Sequence, residues 1–203
     1  GMGVEPEIKL GIDAICSGNL FYSKIKGFIE QNDKTNLHLT VDILNGTKEK
    51  LINEEIQIGI MNIISLKDKL HLFDYFPLIE VEMIPVMAKI NSRHPITEVD
   101  SLKQVPQVII QSSGMSKTSG SGILEGGRKW IVNDILTKKE IILAGLGWGG
   151  LPNHMIQKDL KSGELVRINL EVTQSRSAMV YLVRKKTTPF GPVARELWNT
   201  LSN

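Results

Sequence analysis

Short apolar runs and amphipathic segments alternate along the first third of the chain. Ile8 to Ile12 form an apolar run typical of a buried strand, and apolar residues recur at helical spacing from Leu20 to Gln31. From Leu37 to Ile43 apolar and polar residues alternate, which predicts a strand with two different faces. A charged helix at 47–55 and an apolar strand at 56–60 follow. This order predicts a parallel sheet with helices on its faces and a crevice at the carboxyl ends of its strands.

The rest of the chain predicts a second set of strands and helices. A strand from Pro77 to Lys89 leads into the stretch 91–95, where the chain is expected to cross into a second unit. Further strands are predicted at 108–110, 128–133, 165–170 and 177–183, and helices at 101–105, 137–146, 152–160 and 193–201. The second of these helices is expected to end at Gly147, and the glycine pair 149–150 is expected to form a turn.

Composition and charge narrow the class of protein. The chain has 203 residues, 41% of them hydrophobic and 23% charged, which is ordinary for a globular protein of one or two domains. Its 24 basic and 22 acidic residues leave a formal net charge of +2, so no overall positive field draws this chain onto nucleic acid. No apolar stretch approaches the roughly 20 residues that span a bilayer, and no signal segment begins the chain. We therefore expect a cytoplasmic protein without membrane contacts.

The residue types most often used in catalysis and metal binding are sparse. Cys16 is the single cysteine, so neither an intramolecular disulfide nor a cysteine cluster for zinc is possible, and a small buried side chain is favoured over a reactive thiol. The histidines lie at scattered positions without a metal-binding spacing: His38, His71, His94 and His154. No glycine motif has the spacing of a phosphate loop, and no matched acid and base are visible. We expect no catalytic residues, no metal site and no cofactor.

Polar residues follow the predicted strands of the first half and are candidates for ligand binding. Ser17, Gly18 and Asn19 stand where the first helix begins, and there the backbone N–H groups and the helix dipole favour an anion. The same arrangement would result if Ser17 or Asn19 only capped the helix. Thr47 has a similar place at the second helix, with the same two interpretations. Asn62 follows the third strand and either directs its amide to a ligand or forms a turn.

The second half of the chain offers a further group of candidate ligand contacts. Gln111, Ser112 and Ser113 follow a predicted strand and begin a Ser/Gly-rich connection, so they either bind a ligand or form a solvated loop. Gly147 is expected to supply a left-handed backbone turn. Trp148 offers a flat apolar surface, which either covers one face of a ligand or packs inside the second unit.

Several motifs resemble one family in their order as well as in their residues. The longest is IILAGLGWGGLPNHM at 141–155, a helix, a glycine turn and a Leu-Pro helix start, and LKSGELV at 160–166 continues it. Weaker agreement comes from segments at 8–12, 93–95, 183–185 and 195–197. Together they resemble the effector-binding domain of LysR-type transcriptional regulators over nearly the whole chain. Gln57 departs from the pattern, because the family commonly has an aspartate there, and this puts a local hydrogen bond or charge in doubt.

The resemblance implies an α/β fold of the type 2 periplasmic-binding-protein-like class, with two α/β lobes joined by two crossover strands. On that likeness lobe one is 4–89 plus 175–203, and lobe two is 90–174. The resemblance also implies that a small polar or anionic metabolite binds between the lobes as an effector that controls transcription. DNA would be bound only through an N-terminal winged helix-turn-helix domain, which is absent from this chain.

The resemblance further implies an oligomer, while two other classes of function stay open. Domains of the family pair antiparallel, so a homodimer or tetramer is expected. Its interface is expected near Leu20, Phe21, Phe28 and the strand at 37–43, although a core role for these apolar residues is the alternative. A solute-binding protein of a transporter shares the fold and would need a signal segment. An enzyme on the same scaffold, such as a dehydratase, would need a matched acid and base.

Overall fold

Strands and helices alternate along the chain, as the apolar pattern predicts. The computed structural model of the protein describes residues 3–43, 45–92, 96–111 and 122–203. Within these residues the strands are β1 Glu7–Asp13, β2 Asn36–Asp42, β3 Ile58–Met61, β4 Phe73–Ala88, β5 Gln107–Ile110, β6 Lys129–Val132, β7 Trp148–Pro152, β8 Leu165–Arg167 and β9 Arg176–Lys185. The α-helices are α1 Asn19–Gln31, α2 Gly46–Ile52, α3 Val99–Lys103, α4 Ile135–Leu143, α5 Asn153–Ser162 and α6 Pro192–Ser202.

The described chain forms two compact units. The first contains residues 3–80 and 179–203, and the second contains 81–111 and 122–178. One boundary falls inside β4 and the other inside β9, so each of these strands has residues in both units. The first unit therefore takes its residues from both ends of the sequence.

The sheet of the first unit has the strand order β2, β1, β3 and β9. β1 is parallel to both of its neighbours, with Asp13 of β1 in register with Asp42 of β2, whereas β9 is antiparallel to β3. β1 therefore lies inside the sheet and β2 lies at its edge. Leu10 of β1 is fully buried, while Leu39 and Val41 of β2 are exposed, because an edge strand has a neighbour on one side only.

α1 and α6 pack against each other beside this sheet. α1 buries Phe21, Ile25 and Phe28, which recur at helical spacing, and α6 buries Leu197 and Leu201 among others. Phe21 and Phe28 therefore belong to the core of the first unit, which favours the core role over the interface role for these two residues.

A carboxylate from the start of the chain caps α6. Glu5 Oε2 accepts hydrogen bonds from the backbone N–H groups of Val193 at 2.7 Å and Ala194 at 3.0 Å. Pro192 occupies the first turn, where its missing N–H group is not needed. The charge of Glu5 and its two accepted bonds both stabilise this helix end.

α1 begins without a side-chain cap, which contradicts the alternative that Ser17 or Asn19 caps this helix. The N-cap residue is Gly18, whose φ of 96° favours glycine, and Asn19 is already helical. The Ser17 hydroxyl instead donates to the Ala14 carbonyl at 2.8 Å, within the 3-10 turn that follows β1. The second helix, α2, is also shorter than the predicted 47–55, since it ends at Ile52.

The sheet of the second unit has the strand order β4, β7, β5 and β6. β5 is parallel to β6 and β7, whereas β7 and β8 are antiparallel to β4. α4 follows β6 and is capped by Asp134, whose carboxylate accepts hydrogen bonds from the N–H groups of Leu136 and Thr137. The first turn of α4 therefore lies just beyond the carboxyl end of β6.

The end of α4 differs from the prediction. The helix ends at Leu143, and the glycine in the left-handed region is Gly145, with a φ of 78°. Gly147 does not have a positive φ, so the expectation of a left-handed turn at Gly147 is wrong. The sequence holds three glycines within five residues here, and the periodicity of apolar residues does not distinguish which of them ends the helix.

Gly147 is needed for close packing instead of a turn. A Cβ at this position would lie 2.6 Å from Val108 Cγ2 and 2.8 Å from the Pro106 carbonyl oxygen, both closer than atoms tolerate. The following pair, 149–150, lies inside β7 and not in a turn, which corrects a second expectation. Glycine in a strand often marks such a close approach of another chain segment.

Candidate functional site

A buried carboxyl group, that of Asp13, ends β1. The residue is 7% exposed, and Oδ1 accepts a hydrogen bond from the Ile15 N–H at 3.1 Å. Among the described residues no cation forms an ion pair with it. Burial raises the pKa of Asp13 from 3.8 to about 7, the Ile15 N–H opposes this, and the nearby charge of Asp42 adds to it. Asp13 therefore titrates close to neutral pH.

Asp42 ends β2 beside Asp13 and differs from it in having a counter-charge. The two residues are register partners in the parallel pair. Lys50 Nζ, from α2, lies 2.8 Å from Asp42 Oδ2. Asp42 thus has a cationic partner, whereas no ion pair of Asp13 occurs among the described residues.

Thr47, in the first turn of α2, is fully buried. Its Cγ2 lies 3.2 Å from the position of a Cβ on Gly11 and 3.3 Å from that of a Cβ on Gly59, so α2 packs tightly on β1 and β3. Its Oγ1 has no hydrogen-bond partner within the part of the chain that the structure describes, and Thr40 Oγ1 is in the same situation. An unpaired buried hydroxyl costs about 1–3 kcal/mol. Thr47 therefore keeps an unused donor and acceptor where α2 packs on β1 and β3.

The remaining candidate ligand contacts of the first unit lie before α1 and after β3. Ser17 lies between β1 and α1 and is partly buried, whereas Gly18 and Asn19 are exposed. Both polar atoms of the Asn62 side chain form hydrogen bonds within the first unit: Oδ1 accepts from the Ile64 N–H at 2.7 Å, and Nδ2 donates to the Met179 carbonyl at 3.1 Å. These bonds favour the turn interpretation for Asn62.

The candidates of the second unit do not form one cluster in the described residues. Gln111 is exposed after β5, where its backbone N–H donates to the Val132 carbonyl at 2.7 Å. Ser112 and Ser113 lie outside the described residues. Trp148 is buried and packs in a core cluster with Met87 and other apolar residues of this unit. This burial favours the packing interpretation for Trp148.

Sequence reasoning missed a buried lysine, Lys138, in the first turn of α4. The residue is 9% exposed, and burial lowers the pKa of its ammonium to about 8. Its Cε lies 2.9 Å from the position of a Cβ on Gly149, so the glycine of β7 makes room for the lysine stem. The signal was present in the sequence: Ile135, Lys138 and Ile142 follow the i, i+3, i+7 spacing of a buried helix face.

Lys138 has no acidic partner. No ion pair or hydrogen bond of its ammonium group occurs among the described residues, whereas its neighbour Lys139 pairs with Asp159 at 3.0 Å. Outside the described residues the sequence contains neither Asp nor Glu. A buried cation without a counter-charge therefore lies beyond the carboxyl end of β6.

Two further residues singled out in the sequence have structural roles. Gln57 Oε1 accepts a hydrogen bond from the Lys9 N–H at 2.7 Å, and the Gln57 N–H donates to the Lys9 carbonyl at 2.9 Å, so Gln57 bonds to the backbone of β1. Cys16 is fully buried, and burial together with the nearby Asp13 raises the pKa of its thiol. A protonated, inaccessible thiol is a poor nucleophile.

The described residues lack a metal-binding cluster and a helix that could span a membrane. Over residues 3–43, 45–92, 96–111 and 122–203, no group of three or more His, Cys, Asp or Glu side chains is arranged to hold a metal ion. In the same residues no helix has both the length and the apolar character to cross a bilayer.

The chain is similar to known transcriptional regulators. The uncharacterized HTH-type transcriptional regulator YeeY of Escherichia coli K12 is 24% identical over 173 residues, which are 81% of this chain and 54% of YeeY. The chain thus spans about half the length of this curated relative.

Solved structures show the same fold. The apo-form regulatory domain of HypT from Salmonella typhimurium superposes with a TM-score of 0.71 at 16% identity, over 98% of this chain and 95% of that one. Full-length LysG from Corynebacterium glutamicum with bound effector Arg gives 0.70 at 15% identity, over 97% of this chain and 66% of LysG. These likenesses confirm the predicted type 2 periplasmic-binding-protein-like class. The model of the LysR substrate binding domain matches residues 2–203, and the chain belongs to that family.

Proposed function

We propose that this chain is the effector-sensing part of a LysR-type regulator and that it binds a small polar or anionic metabolite to control transcription. The observation that carries the proposal is the family match over residues 2–203. LysG, which has the same fold, is known with bound effector Arg, which supports a small polar ligand here too. The lobes at 4–89 plus 175–203 and at 90–174 are part of this proposal.

The proposal extends to the whole protein, of which this chain spans a part. DNA is contacted through an N-terminal winged helix-turn-helix domain, as the HTH-type relative suggests, and the protein acts in the cytoplasm, where its DNA lies. The domain binds its ligand without converting it. The relatives found are regulators, which supports this function over that of a transporter component or an enzyme.

A thermal-shift screen of the domain tests the sensor function. The probes are simple carboxylates, amino acids, sulfate and phosphate, aromatic acids and neutral sugars. We expect a concentration-dependent rise in melting temperature with one class, because a ligand that binds only the folded state stabilises it. Ser17→Ala is expected to weaken this rise. Ser202→Ala is the matched control, because both hydroxyls donate to the carbonyl three residues earlier and Ser202 lies in α6. A flat response to every class would argue against a small-molecule sensor.

We further propose that the domain forms a homodimer or tetramer through β2 and α1. Leu39 and Val41 of the edge strand and Ile29 of α1 are exposed apolar side chains, which supports an interface on this face. Val41→Lys is expected to shift the protein to a smaller species in analytical ultracentrifugation. Val172→Lys, a change at an equally exposed valine of the second unit, is the control. An unchanged sedimentation coefficient in Val41→Lys would exclude this face.

A further inference from the structure

The second unit has a cavity at the amino ends of three of its strands. Gln107 begins β5 and is the register partner of Lys129 and Trp148, which begin the parallel strands β6 and β7. The cavity beside them has a volume of about 530 Å³, and every residue that lines it belongs to this unit. A volume of this size accommodates a small organic molecule. Ligands of open α/β sheets bind at the opposite, carboxyl ends of the strands, so this cavity is separate from that position.

Contacts between separate segments of the chain form the walls of this cavity. Asn91, in the 3-10 turn after β4, donates from Nδ2 to the Gly145 carbonyl at 2.8 Å. The Trp148 N–H donates to the Pro106 carbonyl at 3.0 Å. A Cβ on Gly145 would lie 2.7 Å from Ile90 Cγ2, so glycine at this position allows the turn after α4 to approach the turn after β4. The cavity is therefore shaped by the fold of the unit itself.

The charged groups that line this cavity are both cations. Arg128 and Lys129 are among the lining residues, and none of the lining residues carries a carboxylate. The Lys129 ammonium group already donates to the Leu124 and Gly126 carbonyls. The Arg128 guanidinium donates from Nη2 to the Gln104 carbonyl at 3.1 Å, and most of its N–H donors have no partner among the described residues. Its planar fork fits a carboxylate with two parallel hydrogen bonds.

Large apolar side chains lie next to this guanidinium. The Gln107 N–H donates to the Arg128 carbonyl at 2.9 Å, so the strand pairing of β6 extends to Arg128. Side chains two residues apart on a strand point to the same face, which places Trp130 on the side of Arg128. Trp130 is 40% exposed and Leu146, which also lines the cavity, is 49% exposed. An aromatic ring that covers both would remove their apolar surface from water, which is favourable.

We propose that this cavity is a further ligand site, for a small aromatic carboxylate whose ring covers Trp130 and Leu146 and whose carboxylate binds Arg128. The carboxylate supplies the acceptor that most of the guanidinium donors lack, and the ring supplies the apolar partner. All the residues concerned lie in the second unit. The site therefore does not depend on the proposed sensor function.

Titration of the domain with matched acids tests the ligand class. The probes are benzoate, naphthoate and indoleacetate, compared with their uncharged amides and with cyclohexanecarboxylate and acetate, which lack an aromatic ring. Calorimetry gives the dissociation constants. We expect at least one aromatic carboxylate to bind at least about tenfold more tightly than its amide and than both acids without an aromatic ring. If no aromatic carboxylate binds, or if acetate or an amide binds as well, the inference is wrong.

Variants at the two principal contacts locate the bound ligand. Arg128→Gln and Trp130→Ala should each weaken binding of the aromatic carboxylate by at least about tenfold, because one loses the charged donors and the other the ring. Trp130→Phe keeps an aromatic ring and should keep most of the affinity. Lys158→Gln is the control for loss of a positive charge, since Lys158 is exposed on α5 of the same unit and does not line the cavity. Its affinity should be unchanged.

The outcomes separate this site from other places where an aromatic acid could bind. Affinity that survives in both Arg128→Gln and Trp130→Ala would overturn the site. Affinity lost in Ser17→Ala and kept in Arg128→Gln would also overturn it, and would leave the sensor function standing. Melting temperatures show whether each variant is folded. If Arg128→Gln is not, Leu146→Glu replaces it: the added carboxylate should abolish binding by repulsion and by pairing with Arg128, and unchanged affinity would contradict the inference.

Discussion

The stability of the ligand-free domain should depend on pH in a way set by Asp13. Burial raises the pKa of this carboxyl group to about 7 in the folded state, while the unfolded chain has the ordinary value of 3.8. The folded state therefore binds more protons between these values. The stabilisation is fully present below pH 3.8 and is lost as the pH rises through 7. Each pH unit corresponds to about 1.4 kcal/mol, so the loss amounts to about 4 kcal/mol.

Lys138 has the opposite effect at higher pH. Burial lowers the pKa of its ammonium group from 10.5 to about 8. Between these two pH values the unfolded state binds more protons than the folded state. The free energy of unfolding therefore rises with pH over this range, by about 3 kcal/mol in total. The combined contribution of these two groups to stability is smallest near pH 7 to 8. Two titratable groups of the described residues interact with Asp13: Asp42, which is paired with Lys50, and the protonated Cys16.

A comparison of the unchanged protein with the Asp13→Asn variant separates the contribution of Asp13 to the pH dependence of stability from that of the other carboxyl groups. Urea unfolding followed by circular dichroism gives the free energy of unfolding of both proteins from about pH 4 to about pH 8. Asparagine resembles the protonated acid, so the two proteins should be similar at the acidic end. The variant should become more stable, by up to about 4 kcal/mol, at the alkaline end. A difference that does not change with pH would refute the argument that Asp13 is buried without compensation.

Three substitutions and one matched control test the packing and the helix cap. Leu51→Ala should lower the free energy of urea unfolding by about 2–5 kcal/mol, because Leu51 is fully buried in the core of the first unit. Gly147→Ala should lower the free energy of unfolding by about 1–3 kcal/mol through overpacking. Gly150→Ala is the control, because a Cβ at Gly150 meets open space, and it should cost less than about 1 kcal/mol. Equal losses would contradict the close packing of Gly147. Glu5→Ala should lower the melting temperature and cost about 1 kcal/mol, because two N–H groups of α6 lose their acceptor; an unchanged melting temperature would contradict the cap.

Strands and helices whose apolar residues recur at a regular spacing were predictable from sequence. The alternation from Leu37 to Ile43 identified β2, and the helical spacing from Leu20 to Gln31 gave both ends of α1 closely. Apolar periodicity reports which positions are buried, and burial is what fixes these elements. β7 was not predicted, because Gly149 and Gly150 interrupt its apolar pattern and glycine usually indicates a turn.

The candidate site was predicted less well than the fold. Sequence order placed Ser17 and Thr47 near strand ends, but it did not show that Thr47 is buried with an unpaired hydroxyl. Asp13 was overlooked because a carboxylate after an apolar strand is ordinary, and only the pairing of Lys50 with its neighbour leaves it uncompensated. Whether a buried hydroxyl or carboxyl group has a partner depends on which of several nearby groups meet in space. Spacing along the chain does not contain that information.

The division of β4 and β9 between the units has a consequence for synthesis on the ribosome. The second unit is made from one stretch between 81 and 178, whereas the first requires 3–80 together with 179–203. Because α6 packs on α1 and receives its cap from Glu5, the first unit is incomplete until the last residues have emerged. The second unit is therefore able to fold first, and the exposed apolar face of α1 is the surface a chaperone would have to protect meanwhile.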